Sequence, residues 1–393
     1  MSNFSYYTPT HVYFGRGTQN QVGELVRAQG CKKVLIHYGG QSARRSGLLD
    51  QVEASLDAAG VAHVQLGGVV PNPHLSLVYE GIELCRREGV DFILAVGGGS
   101  VIDSAKAIGY GMCMDGDVWE LYNHTRRATG CLPIGVILTI AASGSEMSDS
   151  SVITKEEGGI KRGYNDDICR PKFAIMNPEL TMTLPDYQTA CGCTDILMHT
   201  MERYFVQGDA MEITDSIAEA LMHTVMEQAK ILRDDPKNYD ARAEVMWAGS
   251  LSHNGLTGCG HDGSDFASHR LEHEMGGMFD VAHGAGLAAV WGSWARYVYQ
   301  NCMPRFVRFA RNVMGVEADL SDDAAALRGI ELMEDFFRSI HMPTCFSELG
   351  IHPTQEQLEE MAHKCYLAVG GLLGSAKKLD EGDMLAIYKM ANH

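Results

Sequence analysis

Apolar positions in the first part of the chain follow two alternating periods. "KKVLIHYGG" (32–40), "AHVQLGGV" (62–69), "DFILAVGGGS" (91–100) and "CLPIGVILTI" (131–140) are short apolar runs, which predict buried strands. Between them, "GLLDQVEASLDAAG" (47–60), "SLVYEGIELCRREG" (76–89) and "VIDSAKAIGYG" (101–111) repeat at helical period, the first two closing on glycine. This β-α-β-α order predicts a parallel sheet covered by helices, with ligands beyond the carboxyl ends of the strands. "PELTMTLP" (178–185), bracketed by prolines, marks a boundary. After it the pattern turns helical, through "YQTACGCTDILMHTMERYF" (187–205), "TDSIAEALMHTVMEQAKILRD" (214–234), "YDARAEVMWAGSLSHNGLTG" (239–258), "AALRGIELMEDFFRSI" (325–340) and "TQEQLEEMAHKCYLAVGG" (354–371). The expected organisation is an α/β domain over residues 1–184 and a helical domain over residues 185–393.

Composition narrows the partners. Of the 393 residues, 45% are hydrophobic and 21% charged, which suits globular domains with large cores. The formal net charge of -18 disfavours nucleic acid and anionic membrane surfaces, though local donors can still hold an anionic cofactor. The 11 cysteines form no C-x-x-C motif and read as reduced thiols of a cytoplasmic protein. No signal peptide is apparent at the start, and no apolar run approaches the ~20 residues of a membrane span.

Two glycine loops carry candidate cofactor chemistry. In "LAVGGGSVID", Gly97, Gly98, Gly99 and Ser100 lie between a strand and a helix predicted to start near Val101. Glycines let a backbone approach a phosphate, and the helix start adds partial positive charge. A tight strand–helix turn would use the same residues. In "HYGGQSARRSG", Gly39 and Gly40 are followed by Ser42, Arg44 and Arg45, with no carboxylate where an NAD ribose diol would need one. A hydroxyl and guanidiniums suit the 2′-phosphate of NADP(H). A solvated basic helix start reads equally well.

The helical half carries candidate metal chemistry. Asp195 and His199 are four apart, as are His269 and His273 in "SHRLEHEMGGMFDVAHGAG" (268–286), so each pair shares a helix face. Gly276 and Gly277 are expected to end that helix before His283. A carboxylate with three imidazoles suits Zn²⁺ or Fe²⁺. His269, Glu272 and His273 also spell the H-x-x-E-H of a metallopeptidase. That reading leaves Asp195–His199 and the glycine loops without a role. His223, His253, His261 and His352 lack such an arrangement and read as structural.

"DFILAVGGGSVIDSAKAI", "TDILMHTMERY" and "SHRLEHEMGGMFDVAHGAGLA" resemble the iron-containing (group III) alcohol dehydrogenases, and "YGGQSARRSG" with "PNP" resembles their butanol dehydrogenase and NADPH-dependent aldehyde reductase branch. The resemblance implies a Rossmann-like N-terminal domain and a dehydroquinate synthase-like helical metal domain. It implies reversible hydride transfer between NAD(P)(H) and primary alcohols or aldehydes, with a divalent metal polarising the substrate oxygen. By position it implies Asp195, His199, His269 and His283 as metal ligands, with His273 beside them as a catalytic residue. It implies cofactor contacts at Gly39, Gly40, Ser42, Asn72, Gly97, Gly98, Gly99, Ser100, Asp103, Thr139, Ser143, Ser148 and Lys161. Glu272 is left as a helix-surface or structural carboxylate. The expected cofactors are NADP(H) in preference to NAD(H), and Fe²⁺ or Zn²⁺. Gln41 stands where that branch has a third glycine, which bears on the preference. A homodimer joined through "THVYFG" is implied. A glycerol or diol dehydrogenase, a dehydroquinate-synthase-like enzyme and a non-catalytic NADP-binding sensor are the alternatives.

Overall fold

The computed structural model describes all 393 residues. They form two compact units: Thr8–Thr183, and Leu184–His393 together with Met1–Tyr7. The first residues join the helical unit through the Ser2 amide, which donates to the Gly260 carbonyl at 3.0 Å, and through the N-terminal ammonium, 2.8 Å from Asp209.

The α/β unit contains β1 (His11–Phe14), β2 (Lys33–Tyr38), β3 (Ala62–Leu66), β4 (Phe92–Gly97), β5 (Ile134–Leu138), β6 (Ser150–Lys155), β7 (Ile160–Asn165) and β8 (Phe173–Met176). Its helices are α1 (Val22–Ala28), α2 (Ser42–Arg45), α3 (Leu48–Ala58), α4 (Leu75–Glu88), α5 (Gly99–Met112) and α6 (Trp119–Tyr122). Six strands form a parallel sheet in the order β1-β8-β5-β4-β2-β3. Every residue of β4 and β5 is buried, as expected for strands covered by helices on both faces. The chain leaves β2 toward β3 on one side and returns to β4 on the other. The sheet therefore reverses direction between β2 and β4, where such sheets bind ligands. Gly89 ends α4 in the left-handed conformation at φ 68°, so the glycine read as a helix stop is one.

The antiparallel β6–β7 hairpin is not predicted by the hydrophobic pattern. Its strands mix apolar positions with Lys155, Lys161 and Arg162, which masks the alternation. The signal available was the E-E-G-G between them, where Gly158 and Gly159 take φ 84° and 59°.

The second unit is all helical: α7 (Asp186–Tyr204), α8 (Glu212–Asp234), α9 (Tyr239–His253), α10 (Ala267–Phe279), α11 (His283–Val298), α12 (Met303–Asn312), α13 (Asp322–Ser339), α14 (Phe346–Leu349), α15 (Gln355–Val369) and α16 (Glu381–Ala391). Capping boxes start α15 at Thr354 and α16 at Asp380. From Gly284 to Ala295, α11 is buried all round, which makes it the central helix of this unit. Trp291 and Trp294 on it are fully buried, and Phe205 stacks on Phe306 with ring centroids 4.3 Å apart. Gly276 and Gly277 do not end α10. The helix continues to Phe279 and stops at Asp280, in the left-handed conformation at φ 50°. Asp tolerates that conformation better than most residues, so a short polar residue does the work expected of glycine. None of the helices is long and apolar enough to cross a membrane.

Candidate functional site

In the helical unit, four side chains from three helices converge. Asp195 and His199 lie one turn apart on α7, His269 is in the first turn of α10, and His283 is the first residue of α11. Asp195 Oδ1 lies 3.3 Å from His199 Nδ1, 3.5 Å from His269 Nε2 and 3.7 Å from His283 Nε2. The facing atoms of Asp195, His199 and His269 fall within 4.8 Å of one another. His283 reaches the group because Gly284 lets α11 meet α7 closely: a Cβ there would lie 2.2 Å from the Cys191 carbonyl oxygen.

Two further carboxylates stand behind the imidazoles. His269 Nδ1 donates to Glu202, whose other oxygen accepts the His269 backbone N–H at 3.1 Å. His283 Nδ1 donates to Glu272. Each carboxylate can only accept, so in its neutral form each imidazole carries its hydrogen on Nδ1 and leaves Nε2, the atom facing Asp195, free to donate a lone pair. Glu272 is therefore not on the helix surface. It is fully buried, as is Glu202. Nothing in the helical pattern alone singles out Glu202, although Asp195, His199 and Glu202 at offsets of four and three share one face of α7.

The donor set fits a divalent cation. Asp195 Oδ1, His199 Nδ1 and His269 Nε2 are buried and have no hydrogen-bond partner, and buried polar atoms are seldom left so. Three buried carboxylates in one cluster also demand a counter-charge. Without a metal, burial alone would lower the pKa of His269, but Glu202 and Asp195 push it up to about 9. Burial, with His253, His269 and His283 nearby, holds His199 well below its usual range. A divalent cation would replace the proton on His269 as the local positive charge.

His273 lies one turn beyond His269, buried, with its ring centroid 6.0 Å from that of His283. It stands beside the cluster. His253, read from sequence as structural, packs its ring against His199 at 3.9 Å between centroids. Cys191 and Cys193 are outside the cluster, and burial pushes both thiols up to about 12.

In the α/β unit, most of the candidate cofactor residues gather at the carboxyl ends of β2, β4 and β5. Helix α5 starts at Gly99, two residues before the expected Val101. A Cβ would lie 2.4 Å from Val101 at Gly97, 2.8 Å from Ile140 at Gly98 and 2.2 Å from Ser143 Oγ at Gly99. Packing within the unit therefore demands glycine at all three positions. The Gly97 carbonyl accepts the Thr139 N–H at 3.0 Å, which ties the loop to β5. Gly99, Ser100, Thr139 and Ser143 are partly exposed, while Gly97 and Gly98 are buried.

Asp103 is engaged within the unit. Its carboxylate accepts Ser145 Oγ at 2.6 Å and the Val152 N–H at 3.0 Å, ordering the chain after β5. Lys106 is buried and donates to the carbonyls of Ser145, Ser148 and Ser150 at 2.8, 3.0 and 2.7 Å. It organises the same segment, and sequence reasoning passed over it. Ser148 and Lys161 are buried, at 1% and 4% exposure. Asn72 takes a left-handed φ of 54°, and the neighbouring Pro73 carbonyl accepts the Thr154 N–H at 2.8 Å. Thr154 pairs with Lys161 across the hairpin, so the Asn72 loop and Lys161 come together.

Gly40 and Ser42 are exposed, with Gly39 partly so, at the end of β2. Arg44 is already held: it donates to Tyr38 Oη at 3.1 Å and to Gln65 Oε1 at 2.7 Å.

A parallel α/β unit joined to a helical unit with a buried Asp–His cluster is the make-up of a metal-dependent dehydrogenase. Residues 9–178 match the iron-containing alcohol dehydrogenase model and residues 189–392 the family's C-terminal domain. The chain is 38% identical over 390 residues to NADH-dependent butanol dehydrogenase A of Clostridium acetobutylicum, covering 99% of each chain. It is 34% identical over 355 residues to the NADPH-dependent aldehyde reductase YqhD of Escherichia coli, covering 89% of this chain and 90% of that one. The crystal structure of NADH-dependent butanol dehydrogenase A from Thermotoga maritima superposes with a TM-score of 0.96 at 36% identity, covering 100% of this chain and 99% of that one. The chain belongs to the iron-containing alcohol dehydrogenase family and is an NAD(P)-dependent oxidoreductase of the alcohol dehydrogenase class.

Proposed function

We propose that this protein interconverts short primary alcohols, such as butanol, and their aldehydes with NADP(H), using Fe²⁺ or Zn²⁺ held by Asp195, His199, His269 and His283. The observation that carries the reading is the convergence of Asp195, His199 and His269, whose facing atoms are buried without hydrogen-bond partners, with His283 Nε2 3.7 Å from Asp195 Oδ1. When bound, a divalent cation there supplies a Lewis acid that stabilises negative charge developing on the substrate oxygen. Asp195 supplies the anionic donor, and Glu202 and Glu272 hold two imidazoles in the tautomer that donates. We assign His273 the proton relay, its imidazole exchanging a proton with the alcohol oxygen directly or through water. Gly97, Gly98, Gly99 and Ser100 at the start of α5 are assigned the cofactor pyrophosphate, and Thr139 and Ser143 flank it. Asp103 and Ser148 shape that loop from behind. Asn72 and Lys161 contact the cofactor beyond it. Gly39, Gly40 and Ser42 are assigned the 2′-phosphate. The protein is assigned to the cytoplasm as a homodimer joined along β1, an edge strand with one side unpaired in the sheet.

A second reading, NAD(H) in place of NADP(H), has specific support. Arg44 is already occupied by Tyr38 and Gln65, and the Clostridium acetobutylicum relative is named NADH-dependent. One experiment tests both. Metal content is measured on the purified protein, and NADPH and NADH oxidation are followed across an aldehyde series. Bound iron or zinc with faster NADPH oxidation on a short aldehyde is expected. Faster NADH oxidation selects the second reading, and inactivity on every simple aldehyde with either cofactor refutes the proposal.

A further inference from the structure

Glu272 has no part in the alcohol dehydrogenase chemistry as read from sequence, yet it is fully buried against His283. His283 is the least enclosed member of the cluster: its side chain is 28% exposed, against 6% for His269 and 5% for Asp195. It is also the first residue of α11, and its ring lies near those of His269 and His273, with centroids 5.2 and 6.0 Å away. The aim of the ring is set in part by what its outer nitrogen meets. That partner is Glu272, which lies on a different helix, α10. A neutral imidazole has one N–H, and a carboxylate cannot donate. Glu272 thus fixes the hydrogen on Nδ1 and leaves the Nε2 lone pair facing Asp195 Oδ1 at 3.7 Å. The fold makes room for this carboxylate. At Gly286, one turn along α11, a Cβ would lie 2.9 Å from Glu272 Cγ and 3.2 Å from its Oε1.

We propose that Glu272 is a positioning residue that sets the tautomer and aim of His283 and so raises the affinity of the cluster for a divalent cation. The proposal rests on the metal reading of Asp195, His199, His269 and His283. Glu202 relates to His269 in the same way, but it also holds the first turn of α10 through the His269 N–H, so Glu272 is the cleaner position to test.

The test is zinc binding. Full-length chains stripped of metal are titrated with Zn²⁺ against a chromogenic chelator, with thermal unfolding of each stripped chain as the control for folding. E272A is expected to bind zinc on the order of 10- to 100-fold more weakly than the wild type. E272Q, which keeps an acceptor oxygen, is expected to fall between the two. G286A keeps the carboxylate but displaces it, and is expected to weaken zinc binding as well. Wild-type zinc affinity in folded E272A overturns the proposal, as does E272Q binding no better than E272A, which would leave only a charge effect. Should E272A fail to fold, wild-type affinity in G286A overturns it. D195A and H283A separate the two readings. If they also bind zinc like the wild type, the metal assignment falls. If they lose zinc while E272A does not, only the role of Glu272 falls.

Discussion

Residue by residue, the site divides between what spacing makes visible and what contact makes visible. Asp195 and His199 at an offset of four, and His269 at the start of a helical run, are legible because helix geometry places such pairs on one face. Glu202 and Glu272 are not, because a glutamate in a helical pattern is most often solvated and only burial against an imidazole distinguishes these two. His253 is passed over for the same reason: its contact with His199 joins the end of α9 to α7. Ser42 poses the reverse problem. It is exposed at the start of α2, and its carbonyl accepts the Ser46 N–H while its side chain makes no hydrogen bond within the unit, so the role of that side chain depends on the cofactor. Ser42→Asp puts a carboxylate where a 2′-phosphate would sit. The ratio of kcat/KM for NADPH over NADH is expected to fall about tenfold or more. An unchanged ratio would remove this loop from phosphate recognition.

Among the elements, strands buried on both faces are the most legible, since nothing but an apolar run can occupy β4 or β5. The β6–β7 hairpin is hidden by the charged residues it carries, and α10 outruns its internal glycines because its end is set by Asp280. His37 on β2 shows an element-level dependence that the apolar pattern conceals. Its Nδ1–H donates to the Leu66 carbonyl of β3 at 2.9 Å, and its Nε2 accepts from Ser104 Oγ of α5 at 2.8 Å. Burial lowers its pKa from 6.5 to about 4, despite the hydrogen bond to Leu66. The unfolded chain therefore binds a proton between those values that the folded chain refuses. Stability rises with pH across this window and is lost as the pH falls from about 6.5 to about 4, by a total of about 3 kcal/mol. Denaturant unfolding of wild type and His37→Gln at about pH 7 and pH 4.5 checks this. The variant, though less stable at neutral pH, should lose less on acidification, and equal losses would contradict the assignment.

At the scale of the whole molecule, the two units are expected to answer to different ligands. The carboxylate–imidazole cluster lies wholly in the helical unit, and the glycine loops wholly in the α/β unit. A chelator should lower the unfolding transition of the helical unit, by about 4 kcal/mol of stabilisation where free metal had stood at a thousand times its dissociation constant. NADPH should raise the transition of the α/β unit whether or not metal is present. Calorimetry with each ligand in turn checks this, and a scan unmoved by chelation would count against the metal. The alternation of strands and helices from β2 to β5, the change of class near residue 185 and the Asp195 and histidine members of the site follow from the sequence alone. They depend on periodicity and side-chain chemistry, which are local. Only the tertiary structure decides that Glu272 faces His283, that Lys106 gathers the chain after β5, and that Gly284 and Gly286 make room for neighbouring groups. Each of these joins segments distant in sequence or on different helices, and such contacts are set by how the elements pack, which no local pattern encodes.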